Sequence, residues 1–193
     1  MSRLATTLAA ATLAFGCARA PPRPPPVQDP AAYFPLAVGN TWTYADESPG
    51  LPPAGRGVRR TVSITGRTAD GFFRDSDGNE LRAGPDCVRD RQRSLLCGPI
   101  AAGTRWSAVL SVSSTERYEI AAVGERVETP AGAFDGCVKV RAHNRAAPGT
   151  DHVLEISYAP GVGPVRIETY AVVDGKVAPQ VRALLVSHRL AER

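Results

Sequence analysis

Lysine and clustered basic residues are both scarce in this sequence. The chain has a formal net charge of +4, yet lysine occurs only at Lys139 and Lys176, so arginine carries most of the positive charge. The basic residues are scattered and interleaved with acidic ones, as between Arg82 and Arg93. A surface that binds nucleic acid needs a basic stripe with interleaved aromatic residues. The sequence therefore predicts no nucleic-acid partner.

The motifs of common enzyme classes are also missing. The chain contains no Gly-x-Ser-x-Gly elbow for a nucleophilic serine. Gly161-Val-Gly163 lies in a turn pattern between two strands, whereas a phosphate-binding loop opens a helix. Paired carboxylates such as Asp46 and Glu47 are adjacent in sequence, and nothing sets two of them across a cleft for acid–base catalysis. We therefore expect no catalytic residue, no cofactor and no enzymatic activity.

Metal-binding spacings are absent as well, because no cysteine or histidine pair has the separation typical of a zinc site. His143 and His152 flank a turn-rich segment and could face each other, but zinc needs three or four ligands. The run from Asp75 to Asn79 is only superficially like a calcium-binding loop. Its glycine comes too early, and the twelfth position counted from Asp75 is Asp86, where such a loop has a bidentate glutamate. A plain hairpin turn at Asp77-Gly78 and exposed histidines are the simpler interpretation, and no metal is predicted.

The first residues are typical of an export signal. A short positive start is followed by an apolar run from Leu4 to Phe15 and then Gly16, which predicts a signal peptide over residues 1–16. The run is too short to span a bilayer, which takes about 20 apolar residues. The prolines that follow favour an extended spacer. We therefore expect residues 17–32 to be a tether and residues 33–193 to form one β-rich domain.

Cys17 and the residues before it resemble the bacterial lipobox, in which a small residue precedes a cysteine that receives a lipid. The resemblance implies that Cys17 is the lipid attachment site and that the chain is held on a membrane. Ala18 follows the cysteine, and by the sorting rule of bacteria with two membranes this implies the outer membrane, facing the periplasm or the cell surface. The alternative is an ordinary signal peptide cut near Ala20, with Cys17 discarded.

Apolar and polar residues alternate through most of the chain, and helical periodicity is almost absent. The alternation is clearest in segments 60–65, 117–127, 134–144 and 151–159, which are separated by turn signals. Nine or ten such strands predict an antiparallel meander whose apolar face must be covered, and no long helix is available to cover it. The predicted fold is therefore all-β, a curved meander sheet or an incomplete barrel, with a sandwich as second choice. A short helix or irregular segment fits only at residues 99–115.

Three cysteines follow Cys17. Cys87 and Cys97 flank a segment that can turn back as a hairpin, so they could lie opposite each other and form a disulfide in an oxidising compartment. Cys137 lies in a strand-like segment, where the simplest interpretation is a small buried apolar residue.

Five aromatic residues are candidates for lining a pocket inside the curved sheet: Trp42, Tyr44, Phe72, Phe73 and Tyr118. The same residues could instead form a solid core, and this is the more common role of aromatic residues on the inner face of a sheet. The sequence leaves both interpretations open.

Three motifs extend across the predicted domain. They are Tyr33-Phe-Pro-Leu-Ala-Val-Gly-Asn-Thr-Trp-Thr-Tyr44, Thr129-Pro-Ala-Gly-Ala-Phe-Asp-Gly-Cys-Val-Lys-Val140 and Tyr158-Ala-Pro-Gly-Val-Gly-Pro-Val165. Together they resemble an uncharacterised family of bacterial envelope lipoproteins. The resemblance implies a domain that starts near Tyr33 and a lipoprotein located in the cell envelope. It implies no activity and no functional residue.

Three functional hypotheses remain at this stage. The first is a lipid-anchored, non-catalytic module that binds a hydrophobic molecule or an envelope component in the hollow of its sheet. The second is a structural or assembly lipoprotein that acts by protein–protein contact, for instance through an exposed edge strand. The third is an envelope hydrolase whose site is assembled from distant residues. A cavity of about 300 Å³ or more with aromatic walls would favour the first.

Overall fold

A computed structural model describes residues 26–50, 52, 55 and 57–191 of the chain. The predicted signal peptide, Cys17 and the tether up to residue 25 lie outside the described residues. Within the described residues, no helix has the length and apolarity that a membrane crossing requires.

The described residues form a short 3-10 helix and twelve β-strands. The helix is Pro30–Tyr33. The strands are β1 Thr41–Asp46, β2 Arg59–Arg67, β3 Phe73–Asp75, β4 Glu80–Ala83, β5 Cys87–Arg89, β6 Ser94–Cys97, β7 Arg105–Ser111, β8 Ser114–Thr129, β9 Gly132–Ala147, β10 Thr150–Ala159, β11 Gly163–Val173 and β12 Lys176–Arg189. The segment 99–115, for which the sequence allows a short helix or an irregular segment, contains strand β7.

Consecutive strands pair antiparallel, with the exception of β6 and β7, and the last strand returns to pair with the first. The order across the sheet is β6-β5-β4-β3-β2-β1-β12-β11-β10-β9-β8-β7. The sheet therefore curls into a nearly closed barrel whose single unsealed seam lies between β6 and β7. The prediction of an all-β meander that forms an incomplete barrel is confirmed. At the seam, Trp106 Nε1 donates a hydrogen bond of 2.6 Å to the carbonyl oxygen of Ser94.

Tight turns make this order possible. Asp174 and Gly175 connect β11 to β12, and both have positive φ angles, 48° and 78°. Two consecutive residues of this kind form a turn whose twist matches the twist of paired strands, and Asp-Gly is a preferred sequence for it. These two residues therefore explain the hairpin that the sequence predicts at this position.

The apolar side chains of the alternating strands form the core of the barrel. Ile64, Leu81, Val88, Ile120 and Leu185 are all buried and belong to one continuous core. Charged residues at the intervening positions point outward, as expected for a sheet with one wet face.

One end of the barrel is closed by the segment that precedes β1. The Gln28 side chain bonds the backbone of Ile100 through both its amide nitrogen and its oxygen, and Gly161 N donates to Ala32 O over 2.7 Å. Asn40, which is almost fully buried, donates to Pro35 O and accepts a hydrogen bond from Ala191 N, each over 2.7 Å. Residues 28–40 thus connect three separate parts of the barrel rim, and we call this the closed end.

Candidate functional site

A cavity of about 420 Å³ lies inside the barrel between β1, β2, β11 and β12. Its walls are mostly apolar. The residues that line it are Phe34, Trp42, Tyr44, Ala45, Asp46, Val58, Arg60, Val62, Ile64, Asp75, Asp77, Asn79, Leu81, Pro164, Ile167, Val181 and Ala183. The volume falls within the range of about 300 to 1,000 Å³ that is usual for small-molecule sites.

Aromatic residues form the part of the wall nearest the closed end. The rings of Phe34 and Trp42 pack edge to face, with centroids 5.6 Å apart. Trp42 Nε1 donates to Val162 O over 2.7 Å, and the Tyr44 hydroxyl donates to Pro164 O over 2.9 Å. Burial is the main cause that raises the pKa of Tyr44, so its hydroxyl stays neutral. The polar atoms of both residues are therefore satisfied by the barrel, and only their apolar surfaces remain for a ligand.

Charged residues lie at the opposite side of the cavity. Arg60 on β2 forms an ion pair with Asp77 in the β3–β4 turn, with 2.7 Å between Nη2 and Oδ2. The arginine side chain is 71% exposed and that of Asp77 is 26% exposed, so this pair lies at the rim rather than in the core. The cavity thus has an apolar interior and a polar mouth.

The remaining carboxylates of the rim are already engaged locally. Asp75 Oδ1 accepts hydrogen bonds from the backbone nitrogens of Asp77 and Asn79, over 2.9 and 2.8 Å, and its other oxygen accepts one from Asn79 Nδ2. Asp46 accepts from the backbone and hydroxyl of Ser48. The calcium-like sequence at Asp75 is therefore a hairpin turn whose carboxylate caps the turn.

Two of the five predicted pocket residues, Trp42 and Tyr44, line this cavity, and three do not. Phe72 lies outside the core cluster beneath arginine side chains, and Arg91 Cζ is 3.9 Å from its ring centroid. Phe73 packs against the core away from the cavity. Tyr118 stacks on Trp106 at 5.4 Å and donates a hydrogen bond to the buried Glu116.

The cavity also contains residues that the sequence interpretation left out. Arg60, Val62 and Ile64 line it from alternate positions of β2, and Val58 lines it from just before that strand. That alternation was visible in the sequence. The sequence did not predict the pairing of β1 with β12. This pairing brings Val181 and Ala183 to the same cavity.

The three cysteines of the domain differ in oxidation state. Cys87 and Cys97 are direct partners on β5 and β6 and form a disulfide with an S–S distance of 2.06 Å. Cys137 is a buried free thiol, and its burial raises its pKa to about 11.

The described residues contain no group of three or more histidine, cysteine, aspartate or glutamate side chains that could hold a metal ion. His143 pairs with Val153 and His152 pairs with Asn144 across β9 and β10. The two histidines are thus offset by one residue in the register and point to opposite faces of the sheet, so they do not meet.

No protein-family model matches the chain, and no curated protein matches it. Among solved structures, the chain is similar to a protein of Bacteroides fragilis described as exported with a YmcC-like fold, at 16% identity and a TM-score of 0.48. It is also similar to a protein of Parabacteroides distasonis described as a lipoprotein, at 15% identity and a TM-score of 0.45. Each similarity covers 81% of this chain and 98% of the other. We therefore infer the function from the chain's own geometry.

Proposed function

We propose that the chain is a non-catalytic envelope protein, anchored by lipid on Cys17, that binds the apolar part of an amphiphilic molecule in its barrel cavity. The observation that carries the proposal is the cavity of about 420 Å³ with an aromatic wall whose polar atoms are already hydrogen-bonded. A ligand with polar groups along its whole length would leave those groups unpaired against Trp42 and Tyr44, which is costly. An alkyl or aromatic portion carries no such cost.

The expected affinity follows from the hydrophobic effect. Each buried methylene group contributes about 0.8 kcal/mol, so ten of them contribute about 8 kcal/mol before the costs of immobilisation are subtracted. A free energy of about 8 kcal/mol corresponds to about 1 μM, and the immobilisation costs weaken binding from there, so we expect dissociation constants between about 1 μM and 1 mM for single-chain amphiphiles. The proposed location in the cell envelope is supported by the sequence, through the signal-like residues 1–16 and Cys17.

The binding proposal is tested by filling the cavity. Ala183 on β12 lines it and is half-buried, so Ala183→Phe would place a ring in the empty volume. Ala178→Phe on the same strand is the matched control because Ala178 is exposed. We expect an apolar fluorescent dye and a twelve-carbon alcohol to compete for one site in the wild type. Ala183→Phe should weaken binding at least tenfold, and Ala178→Phe should leave it unchanged.

Two results would contradict the proposal. The first is no saturable uptake of dye by the wild-type chain. The second is equal affinity in the wild type and Ala183→Phe when both have the same circular dichroism spectrum. Thermal unfolding provides the check on folding, because a ring that fits the cavity should leave the melting temperature unchanged or raise it.

A second candidate function is assembly through the seam. Strand β7 has seven residues and β6 has only four, so part of the β7 edge has no strand opposite it. Val109 on this edge is 73% exposed, and an unpaired edge can accept a strand from a partner. A photo-crosslinking residue at Val109 should then capture one specific envelope protein, whereas the same residue at the exposed Val177 on β12 should not. Identical products from both positions would reject this candidate.

A further inference from the structure

Two arginines lie directly opposite each other on the outer surface of the barrel. Arg82 on β4 and Arg89 on β5 are register partners, and their neighbours Leu81 and Val88 are buried, so both arginines point outward. Like charges at directly opposite positions destabilise a pair of strands. Within the described part of the chain, neither arginine forms a salt bridge. The ion pairs nearby join Arg74 and Arg91 to Asp70 and Glu80, and Arg93 to Asp90.

An aromatic ring holds this pair in place. The guanidinium carbons of Arg82 and Arg89 lie 4.8 and 5.8 Å from the centre of the buried Phe72 ring. Arg91 contacts the same ring at 3.9 Å, but Asp70 and Glu80 neutralise its charge. A cation over the face of an aromatic ring is attracted to the negative charge of that face. The ring therefore orders the two unpaired arginines while leaving their charge uncompensated.

A groove of about 530 Å³ lies beside the pair. Besides the arginines it is lined by Pro85, Asp86, Cys87 and Ser94 among others, and Asp86 is its one carboxylate. Ser94 is the register partner of Arg89 on β6, and its hydroxyl makes no hydrogen bond to the described residues. The disulfide between Cys87 and Cys97 connects the two strands that form this side of the groove. Two cations and one free hydroxyl thus converge on a space bounded by a cross-linked hairpin.

We propose that this groove is an anion site that binds a phosphate group between Arg82 and Arg89, with Ser94 as a further donor. A guanidinium group presents parallel N–H donors that match phosphate oxygens, and such charge-assisted bonds are the strong ones. A bound dianion would also remove the repulsion between the two arginines. The phosphate could belong to a lipid head group or be free inorganic phosphate. The site is on the outer surface and is independent of the barrel cavity.

The test uses the full chain with Cys17→Ser, so that a lipid anchor does not dominate the measurement. One arm titrates inorganic phosphate at constant ionic strength by calorimetry. The other measures sedimentation with vesicles of phosphatidylglycerol and phosphatidylcholine, compared with vesicles of phosphatidylcholine alone. Binding in the first arm alone identifies free phosphate as the ligand. Binding to the phosphatidylglycerol vesicles alone identifies the lipid head group.

The variant that tests the site is Arg82→Gln with Arg89→Gln. The matched control is Arg59→Gln with Arg189→Gln, which removes the same charge from two exposed arginines on β2 and β12 that form no salt bridge within the described residues. We expect the first variant to weaken binding at least tenfold and the control to change it less than twofold. Equal losses in both variants would mean non-specific attraction and would overturn the proposal, as would no binding of either probe by the parent chain.

A second measurement keeps the test decisive if a variant folds poorly. In the parent chain, a specific ligand stabilises the folded state by mass action, so phosphate should raise the melting temperature more than chloride does at equal ionic strength. No difference between the two salts, together with no vesicle binding, would overturn the proposal.

Discussion

Gly163 lies against the aromatic wall of the cavity, and its replacement by alanine gives a direct test of how the barrel is closed. The glycine is buried, with a φ angle of +114°. A Cβ atom added there would lie 3.1 Å from Trp42 Nε1, 3.4 Å from Trp42 Cε2 and 3.5 Å from Phe34 Cδ2. Two separate penalties therefore apply to Gly163→Ala, one in the backbone and one in the packing.

The magnitude follows from these two terms. A residue with a side chain in such a sparsely populated φ region costs about 1 to 3 kcal/mol. Overpacking against Trp42, which cannot move without losing its hydrogen bond to Val162, costs a similar amount. We expect Gly163→Ala to lower the free energy of unfolding by about 3 kcal/mol in total. For a domain of this size, that corresponds to a fall of about 6 to 12 °C in melting temperature.

Gly161 in the same turn is the matched control. It also has a positive φ angle, +73°, but a Cβ atom there would meet nothing within 4 Å. Gly161→Ala therefore carries only the backbone penalty, about 1 kcal/mol. The difference between the two variants, about 2 kcal/mol, contains the contact with Trp42 and Phe34 together with any extra backbone cost of the φ angle of +114° at Gly163.

The assay is urea unfolding followed by circular dichroism, repeated in a Trp42→Phe background. Replacing the indole removes both Nε1 and Cε2, so the penalty of Gly163→Ala should fall towards that of Gly161→Ala. If the two glycine variants are equally destabilised, or if the penalty is unchanged without the indole, the proposed close packing of Gly163 on Trp42 is wrong.

Three further predictions concern the cysteines and Asn40. Replacing Cys87 and Cys97 together with serine should cost about 3 kcal/mol of stability, because the cross-link closes a loop with a sequence separation of 10; chemical denaturation measures the loss, and free thiols at Cys87 and Cys97 in the wild type by mass spectrometry would contradict it. Cys137 should react with thiol reagents only after unfolding. Because its pKa is raised to about 11 in the fold, its contribution to stability is present below about pH 9 and is lost as the pH rises towards 11, so Cys137→Ala should flatten the decline in stability over that range. Asn40→Ala removes both hydrogen bonds of a buried amide and leaves Pro35 O and Ala191 N unpaired, which should cost about 2 to 4 kcal/mol in the same denaturation assay; a loss below 0.5 kcal/mol would contradict its role at the closed end.

Local patterns in the sequence were enough to predict the fold class. Alternation and turn residues are properties of single hairpins, and a chain whose strands pair with their neighbours is specified by its hairpins alone. The closure of the barrel was harder to predict than the hairpins. It depends on the pairing of β1 with β12, and these two strands are far apart in sequence. The strands β3 to β6 have only three or four residues each, too short for alternation to mark them individually.

The aromatic residues show where sequence reasoning failed at the site. Phe72 and Phe73 are adjacent, so on a strand-like segment they must point to opposite faces, and only one of them could ever face the interior. Tyr118 does point inward, but it lies on β8, on the other side of the barrel from the cavity, where it stacks on Trp106. Alternation gives the face on which a side chain lies; its position around the barrel depends on strand order.

The three motifs that carry the family resemblance meet at the closed end rather than around the cavity mouth. Asn40 and Trp42 from the first motif contact the C-terminal segment and the turn of the third motif, through Ala191 and Val162. The second motif reaches the same turn, because a Cβ atom at Gly136 would lie 3.7 Å from Pro160 Cγ.

Residues of all three motifs therefore help to close this end of the barrel. The mouth is built from other residues, among them Val58, Arg60 and Ala183. Because the two sets of residues are separate, we expect substitutions at the mouth to leave the closed end intact, and a melting temperature unchanged by Val58→Ser would agree with this.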